Sequence, residues 1–183
     1  MDFVFNYPLI SNNGNVDVYD IPNDFYGTEA TILQMQKLVS NAKQDWDFFI
    51  KITSKIIRNC PHKDKWAEVN RIFKFVKKFI RYEFDPYKIE LVQAPIKTLE
   101  RRAGDCDDLC IVFNTFVECI GLKSAFKTIK ADKERPNEFS HVYSLARIGK
   151  DWIGADCSVE ESYLGWEPPK HFGNEKIWNG SLE

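Results

Sequence analysis

The stretch Gly104-Asp105-Cys106-Asp107-Asp108-Leu109-Cys110 constrains the fold most, because it indicates a loop that turns into a helix with a cysteine in its first turn. From this point the apolar residues are spaced three and four apart along one helical face: Leu109, Val112, Phe113, Phe116, Val117 and Ile120. Gly121 is typical of a helix end. Cys106 shares the buried face at its N-terminal edge, because it lies three residues before Leu109 and seven before Phe113. A thiol there can contact both the core and a substrate.

Composition limits the classes of partner that this chain can have. With 183 residues, 44% of them hydrophobic, it is long enough for one well-filled core. The formal net charge of -2 gives no electrostatic case for nucleic acid or an anionic membrane, so we expect neither as a partner. The start Met1-Asp2-Phe3 has no basic region and no apolar run reaches membrane-spanning length, which favours a cytoplasmic protein, either cellular or phage-encoded. The oligomeric state stays open.

The cysteines favour a reducing compartment. There are five, an odd number without the spacing of a disulfide framework. Apart from Cys106 they are most simply explained as structural residues: Cys60, Cys110, Cys119 and Cys157.

Hydrophobic periodicity predicts one domain over residues 28–183, preceded by an irregular arm over residues 1–27 that is rich in Asn, Asp, Tyr and Pro. Three amphipathic helices are predicted before the cysteine, over residues 28–41, 43–58 and 64–80.

The second half of the chain predicts a sheet. Residues 82–99 are expected to be an extended connector, because Asp85-Pro86 and Ala94-Pro95 both disfavour helix before the proline. After Gly121 three runs are rich in β-branched and aromatic residues and predict an antiparallel sheet over residues 123–130, 139–148 and 151–157. An irregular tail follows from about residue 158.

A hairpin is predicted between the last two of these strands. A two-residue loop at Ile148-Gly149 places His141 opposite Asp156 and Leu145 opposite Trp152. A register that is slipped by two residues still leaves His141 and Asp156 on one face of the sheet, whereas a slip by one separates them.

If the Cys106 helix packs against this sheet, a thiol, an imidazole and a carboxylate meet. They can act as a nucleophile, a base and a group that orients the base, which are Cys106, His141 and Asp156. The helix N-terminus favours the thiolate, and the backbone N–H of Cys106 is a candidate oxyanion donor. Three carboxylates oppose thiolate formation by raising the pKa of the thiol, so activation is expected to depend on His141; they are Asp105, Asp107 and Asp108.

Three motifs of this sequence resemble the signature of the transglutaminase-like superfamily. They are Arg102-Ala103-Gly104-Asp105-Cys106-Asp107-Asp108, Ser140-His141-Val142-Tyr143 and Trp152-Ile153-Gly154-Ala155-Asp156. The segments before the cysteine also resemble those of bacterial and phage-encoded members; they are Ile80-Arg81-Tyr82, Gln93-Ala94-Pro95 and Thr98-Leu99. The resemblance covers about residues 28–169. It implies an α+β fold with a papain-like core, in which N-terminal helices and the nucleophile helix pack on an antiparallel sheet.

By this resemblance Cys106, His141 and Asp156 are the catalytic residues. Tyr143 stands where the family often has tryptophan, and it is a candidate substrate contact. Gln93 is a candidate for the second oxyanion donor.

The expected activity is thiol-dependent acyl transfer on an amide of a protein or peptide, either a peptide bond or a glutamine carboxamide, through a Cys thioester. Hydrolysis is favoured over crosslinking, because the sequence shows neither a site that excludes water nor a channel for an amine. The alternative is a non-catalytic binding or assembly module of the same fold, for example in a virion. A third hypothesis is a zinc site, whose ligands would be Cys106, Cys110, His141 and Cys157. The spacing of these residues matches known zinc sites poorly, so we expect no metal and no cofactor.

Overall fold

The computed structural model describes residues 9–12, 17–19, 25–86, 90–169 and 175–182. The helices of this part of the chain are α1 (Phe25–Asn41), α2 (Trp46–Ile57), α3 (Lys65–Phe79), α4 (Pro95–Arg101) and α5 (Cys106–Cys119). Its strands are β1 (Leu9–Asn12), β2 (Asp17–Tyr19), β3 (Arg81–Tyr82), β4 (Ala103–Gly104), β5 (Ser124–Ile129), β6 (His141–Ile148), β7 (Asp151–Ala155) and β8 (Lys176–Asn179). The predicted α+β class is therefore confirmed. None of the described helices is both long enough and apolar enough to cross a membrane.

The other elements pack around α5. Residues 107–117 of this helix are all buried, and it contacts α1, α2, α3, α4 and β6. Phe116 lies edge-on to Phe49 and to Phe75, with ring centroids 6.2 Å and 5.9 Å away. Large apolar groups that are removed from water on every face of one helix supply much of the driving force for folding. The buried body of α5 consequently fixes the direction in which its N-terminus points.

The main sheet is antiparallel, in the order β7-β6-β5-β8. Alternate residues of β6 belong to different clusters: Val142 packs with Cys110 of α5, whereas Tyr143 and Leu145 pack with Ala125 of β5. One face of the sheet therefore covers α5. His141 is the first residue of β6, so its ring lies at the end of the sheet.

The hairpin between β6 and β7 has a register that differs from the predicted one by two residues. Leu145 pairs with Gly154 and not with Trp152, and the loop residues are Gly149 and Lys150. Gly149 adopts a left-handed conformation with φ +65°, which glycine accepts without a steric penalty. The predicted loop at Ile148-Gly149 was wrong for this reason. The shift is even, so the faces on which the side chains lie are unchanged.

Two further elements were not predicted. The proposed extended connector contains α4, because Pro95 occupies the first turn of a helix, where its missing N–H costs nothing. The proposed irregular tail contains β8, which adds to the sheet beside β5 and whose Trp178 donates its Nε1–H to Thr128 Oγ1 at 3.0 Å.

The predicted arm over residues 1–27 also differs in part. β1 and β2 form an antiparallel pair within it, and α1 begins at Phe25. Residues 1–8, 13–16 and 20–24 of the arm lie outside the described residues, as do residues 170–174 of the predicted tail, which include His171.

A short parallel pair connects α3 to the cysteine. β3 pairs with β4 so that Tyr82 lies beside Gly104, and the N–H of Glu83 donates to the carbonyl of Gly104 at 3.0 Å. A Cβ atom on Gly104 would lie 2.6 Å from both the Cβ and Oδ2 atoms of Asp108. Only glycine therefore fits where the chain enters α5.

We expect Gly104→Ala to lower the free energy of unfolding by about 1–3 kcal/mol, because the added methyl group must displace a buried carboxylate. Urea denaturation of both proteins at one pH measures the change. An unchanged midpoint and slope would show that the loop before α5 can relax around the methyl group.

Candidate active site

Asp105 starts the cysteine helix. Its Oδ1 accepts the N–H groups of Asp107 at 3.0 Å and Asp108 at 3.3 Å, which is the arrangement of an N-cap. Cys106 is the first residue of α5, and its side chain is partly exposed. The helix begins at the predicted position, and its thiol lies at the edge of the core.

Val142 connects the cysteine helix to the strand that begins with histidine. Its carbonyl accepts the Cys110 thiol at 3.7 Å. Its backbone N–H acts to lower the pKa of Cys106, against burial and nearby charges that raise it. That N–H belongs to the peptide group that joins His141 to Val142, so the Cys106 sulfur lies near the start of β6.

His141 and Asp156 form an ion pair or a neutral hydrogen bond, depending on protonation, at 2.8 Å between Nε2 and Oδ2. The Asp156 side chain is 1% exposed and that of His141 is 17% exposed, so the carboxylate is sealed while the ring reaches the surface. Burial alone would raise the pKa of Asp156, but hydrogen bonds from His141 and Ser158 outweigh it and hold this pKa below its ordinary value. An ionised Asp156 selects the tautomer that carries its proton on Nε2, which leaves Nδ1 as the basic nitrogen.

Within the described residues, the Cys106 thiol donates its hydrogen bond to Oδ1 of Asp107, at 3.5 Å, and not to His141. Burial, and then the charges of Asp107 and Asp105, raise the pKa of Cys106 well above its usual value, and the N–H of Val142 opposes them. The structure therefore holds a neutral thiol, and catalytic hydrogen bonds of this kind often tighten only when a substrate binds.

A cluster of carboxyl groups surrounds the start of α5. Burial, followed by the charges of Asp108 and Asp85, raises the pKa of Asp105 to about 7. Burial raises the pKa of Asp108 to about 6 against the hydrogen bonds from Gln93, and it raises that of Asp107 well above the ordinary value. Some of these groups therefore hold protons near neutral pH.

Two sets of side chains in the described residues place three ligand atoms within 4.8 Å of one another. One set is Asp85, Glu90 and Asp105, and the other is Asp105, Cys106 and Asp107. Carboxylate oxygens suit hard cations such as Ca²⁺ or Mg²⁺ rather than zinc. The hypothetical zinc ligands do not form such a group in this part of the chain, and the expectation of no metal remains a prediction.

Gln93 and Tyr143 lie close to the site with their polar groups already bound. The Gln93 side chain donates Nε2–H to Asp108 and accepts from Arg101 at 2.7 Å. Tyr143 is 2% exposed and donates its hydroxyl to Glu167 at 2.8 Å, with its ring 6.3 Å from that of His141. This geometry favours supporting roles: Gln93 anchors the first turn of α5, and Tyr143 packs beside the histidine.

Tyr82 is a site residue that sequence reasoning missed. In the parallel pair of β3 and β4, Tyr82 lies beside Gly104, and Gly104 precedes Cys106 by two residues. Its hydroxyl has no hydrogen-bond partner among the described residues. Burial, and then the charges of Cys106 and Asp105, raise the pKa of Tyr82, so its hydroxyl stays protonated. Tyr82 belongs to the segment Ile80-Arg81-Tyr82, which resembles the family, but nothing in the sequence indicated its role, because only the pairing of two distant segments brings it to the cysteine.

Neither a protein-family model nor a curated protein matches this sequence. Solved structures do match the fold. A candidate cysteine protease from Cytophaga hutchinsonii has a TM-score of 0.50 and 18% identity, over 73% of this chain and 49% of its own. LapG from Legionella pneumophila has a TM-score of 0.50 and 16% identity, over 81% of this chain and 87% of its own.

A candidate protease from Parabacteroides distasonis has a TM-score of 0.55 and 10% identity, over 71% of this chain and 26% of its own. This chain thus spans about half of the Cytophaga protein and about a quarter of the Parabacteroides protein. At these identities the likeness shows the fold alone. The shared fold agrees with the transglutaminase-like, papain-like architecture that the sequence motifs predicted.

The raised pKa of Asp105 predicts a pH-dependent stability. The stabilisation linked to this group is fully present below its ordinary pKa of 3.8 and is lost as the pH rises through about 7, because the folded state binds the proton more tightly. Asp105→Asn keeps the N-cap and removes the titration, so we expect it to reduce the loss of unfolding free energy between pH 4 and pH 7.5 by at least about 1 kcal/mol.

Urea titrations at the two pH values, with EDTA present, measure this difference. Asp64→Asn makes the same change at the exposed N-cap of α3 and serves as the control. A pH dependence that is unaltered by Asp105→Asn would contradict the prediction.

Proposed function

We propose that this chain is a cysteine enzyme that transfers acyl groups from an amide, with Cys106 as nucleophile, His141 as general base and acid, and Asp156 as the group that orients the imidazole. One arrangement supports this proposal above all. The buried Asp156 holds Nε2 of His141 at 2.8 Å, and Cys106 lies near enough to the start of β6 for the N–H of the peptide group after His141 to lower the pKa of its thiol. A base with a fixed tautomer and a thiol beside it are what nucleophilic catalysis requires.

The reaction begins when the Cys106 thiol gives up its hydrogen bond to Asp107 and transfers its proton to Nδ1 of His141. A thiolate and an imidazolium result. The sulfur attacks the amide carbonyl, and a C–S bond forms as the carbonyl π bond opens to an oxyanion. Nδ1 then donates its proton to the leaving amine, the C–N bond breaks, and a thioester remains. Water attacks the thioester with Nδ1 as base, which releases the carboxylic acid and restores the thiol.

Two donors are in position to stabilise the oxyanion. One is the backbone N–H of Cys106, at the start of α5, where no helical carbonyl precedes it. The other is the hydroxyl of Tyr82, which has no hydrogen-bond partner in the part of the chain that the structure describes and is close enough to Cys106 and Asp105 for their charges to raise its pKa. We assign the second oxyanion donor to Tyr82 rather than to Gln93, because the amide of Gln93 is bound to Asp108 and Arg101.

Hydrolysis of a peptide bond is the favoured outcome. Two of the matched structures carry the names of candidate proteases, and both are likenesses of fold at low identity. His141 is partly exposed, so water can reach the base that must activate it. Protein or peptide substrates follow from this assignment.

One observation favours the alternative, a binding or assembly module. The thiol proton is directed towards Asp107, and the charges around the sulfur raise its pKa. A site with this resting state must be reorganised before it reacts, and a module that only binds would have no need to do so. A substrate-independent acylation assay separates the two functions.

We expect the wild-type protein to release a stoichiometric burst of p-nitrophenolate from p-nitrophenyl acetate and to carry one acetyl group on Cys106 by mass spectrometry. Cys106→Ala should abolish the burst, and His141→Ala should slow it by at least about 100-fold, since the base is lost. Cys119→Ala, at the other end of the same helix, is the matched control and should behave as wild type.

Acetylation that is equal on Cys106 and Cys119, or a burst that survives Cys106→Ala, would overturn the assignment in favour of a binding module. Fluorescein-labelled casein then decides the outcome of the transfer. Peptide release indicates hydrolysis, and incorporation of monodansylcadaverine indicates crosslinking.

Tyr82→Phe tests the oxyanion assignment. It keeps the ring that packs edge-on to Phe84 at 5.0 Å and removes only the donor. We expect kcat for the ester to fall by roughly 100-fold while KM is unchanged, because the lost hydrogen bond forms only in the transition state. Tyr163→Phe changes an exposed tyrosine elsewhere and should have no effect. A Tyr82→Phe enzyme with wild-type kcat would refute the assignment.

A further inference from the structure

Lys77 of α3 binds a cluster of main-chain oxygens that follows Asp156. Its Nζ lies 2.6 Å from the carbonyl of Val159, 3.0 Å from that of Glu160 and 2.8 Å from both the carbonyl and the hydroxyl of Ser162. An ammonium has three protons to donate, so these oxygens occupy its entire donor capacity. The lysine side chain therefore holds this loop in one conformation.

The same loop binds both the main-chain carbonyl and the carboxylate of Asp156. The Ser162 hydroxyl lies 2.5 Å from the main-chain carbonyl of Asp156, and Ser158 donates its N–H at 3.0 Å and its hydroxyl at 2.6 Å to Oδ1. Oδ2 is thereby left for His141. A continuous series of hydrogen bonds runs from Lys77 through Ser162 to the residue that orients the imidazole.

The oxygens that Lys77 binds lie beyond the end of β7. The last paired residue of this strand is Ala155, so the carbonyls of the following residues have no strand to accept from. Ser162 is buried, Val159 is partly buried and Glu160 is exposed, so the donor matters most at Ser162, where an unpaired buried carbonyl would be costly. α3 supplies the donor from a rigid position, because its neighbouring residues Phe73 and Val76 are buried in the same core cluster as Ala155 and Cys157.

We propose that Lys77 is a positioning residue for Asp156: it fixes the loop of residues 157–163 so that the carboxylate keeps the His141 ring in its reactive orientation. This inference rests on the proposed acyl transfer and adds a residue that the three sequence motifs do not contain. Lys77 acts through Asp156 and touches no reacting atom.

The substitutions Lys77→Met, Lys77→Arg and Ser162→Ala, compared with Lys78→Met, test the proposal. Lys78 is the exposed lysine next along α3 and controls for the loss of one positive charge. A cavity of about 320 Å³, lined by Lys77, Ser162 and Tyr163 among others, leaves room for the larger guanidinium of Lys77→Arg.

In the ester assay we expect Lys77→Met to lower kcat by between about 10-fold and about 100-fold with KM unchanged, since misplacing a catalytic group affects the chemical step. Lys77→Arg, which keeps the charge and the donors, should recover part of this loss. Ser162→Ala should lower kcat in the same direction, and Lys78→Met should match wild type.

Two NMR measurements report on positioning without any turnover. The ¹⁵N shifts of His141 should show the Nε2–H tautomer in the wild type and a mixture of tautomers in Lys77→Met, because the carboxylate no longer selects one nitrogen. The amide of Ser158 should exchange about tenfold faster in Lys77→Met, because its acceptor is no longer held.

A folded Lys77→Met protein with the wild-type tautomer and wild-type Ser158 exchange would overturn the proposal. If Lys77→Met does not fold, Ser162→Ala decides, and unchanged NMR signals in that variant overturn it equally. An inactive wild type would refute the acyl transfer, but a tautomer that depends on Lys77 would still support the positioning of Asp156.

Discussion

The burial of one helix along most of its length determines the geometry of this protein. α5 is enclosed by four other helices and a sheet, and only its two ends, at Cys106 and at Glu118–Cys119, are partly exposed. Its N-terminal end lies near the start of β6, so the sulfur lies near the peptide group after His141. The site is formed by core packing, since its thiol belongs to the least exposed helix and its imidazole to a central strand of the sheet.

Asp156 and Cys106 lie in environments that shift their pKa values in opposite directions. Asp156 is sealed from water but receives hydrogen bonds from His141 and Ser158, and these keep it ionised. The pKa of Cys106 is raised by burial and by the charges of Asp107 and Asp105, and the N–H of Val142 opposes these effects without outweighing them. A neutral thiol beside a prepared base is the result. Such a site forms its thiolate when the base removes the proton, and it is protected from indiscriminate oxidation in the meantime.

The parts that could be predicted from the sequence are those encoded locally. Helical periodicity located α5, and strand alternation placed His141 and Asp156 on one face. The register could not be predicted, because a glycine can occupy either position of a two-residue turn. The roles of Tyr82 and Lys77 could not be predicted for a related reason. Main-chain pairing with a distant segment places Tyr82, and Lys77 binds main-chain oxygens of a distant loop, and main-chain groups leave no pattern in a sequence.

The hairpin that joins β6 and β7 has a consequence for how related chains can vary. Residues added within the turn at Gly149 and Lys150 lengthen the loop and leave Ile148 paired with Asp151, so a functional pair on the two strands survives such a change. One residue added within β7 instead turns the side chains beyond it to the other face, unless a bulge absorbs it, and would turn Asp156 away from His141. Related chains should therefore vary in length at the turn and keep a constant spacing along β7.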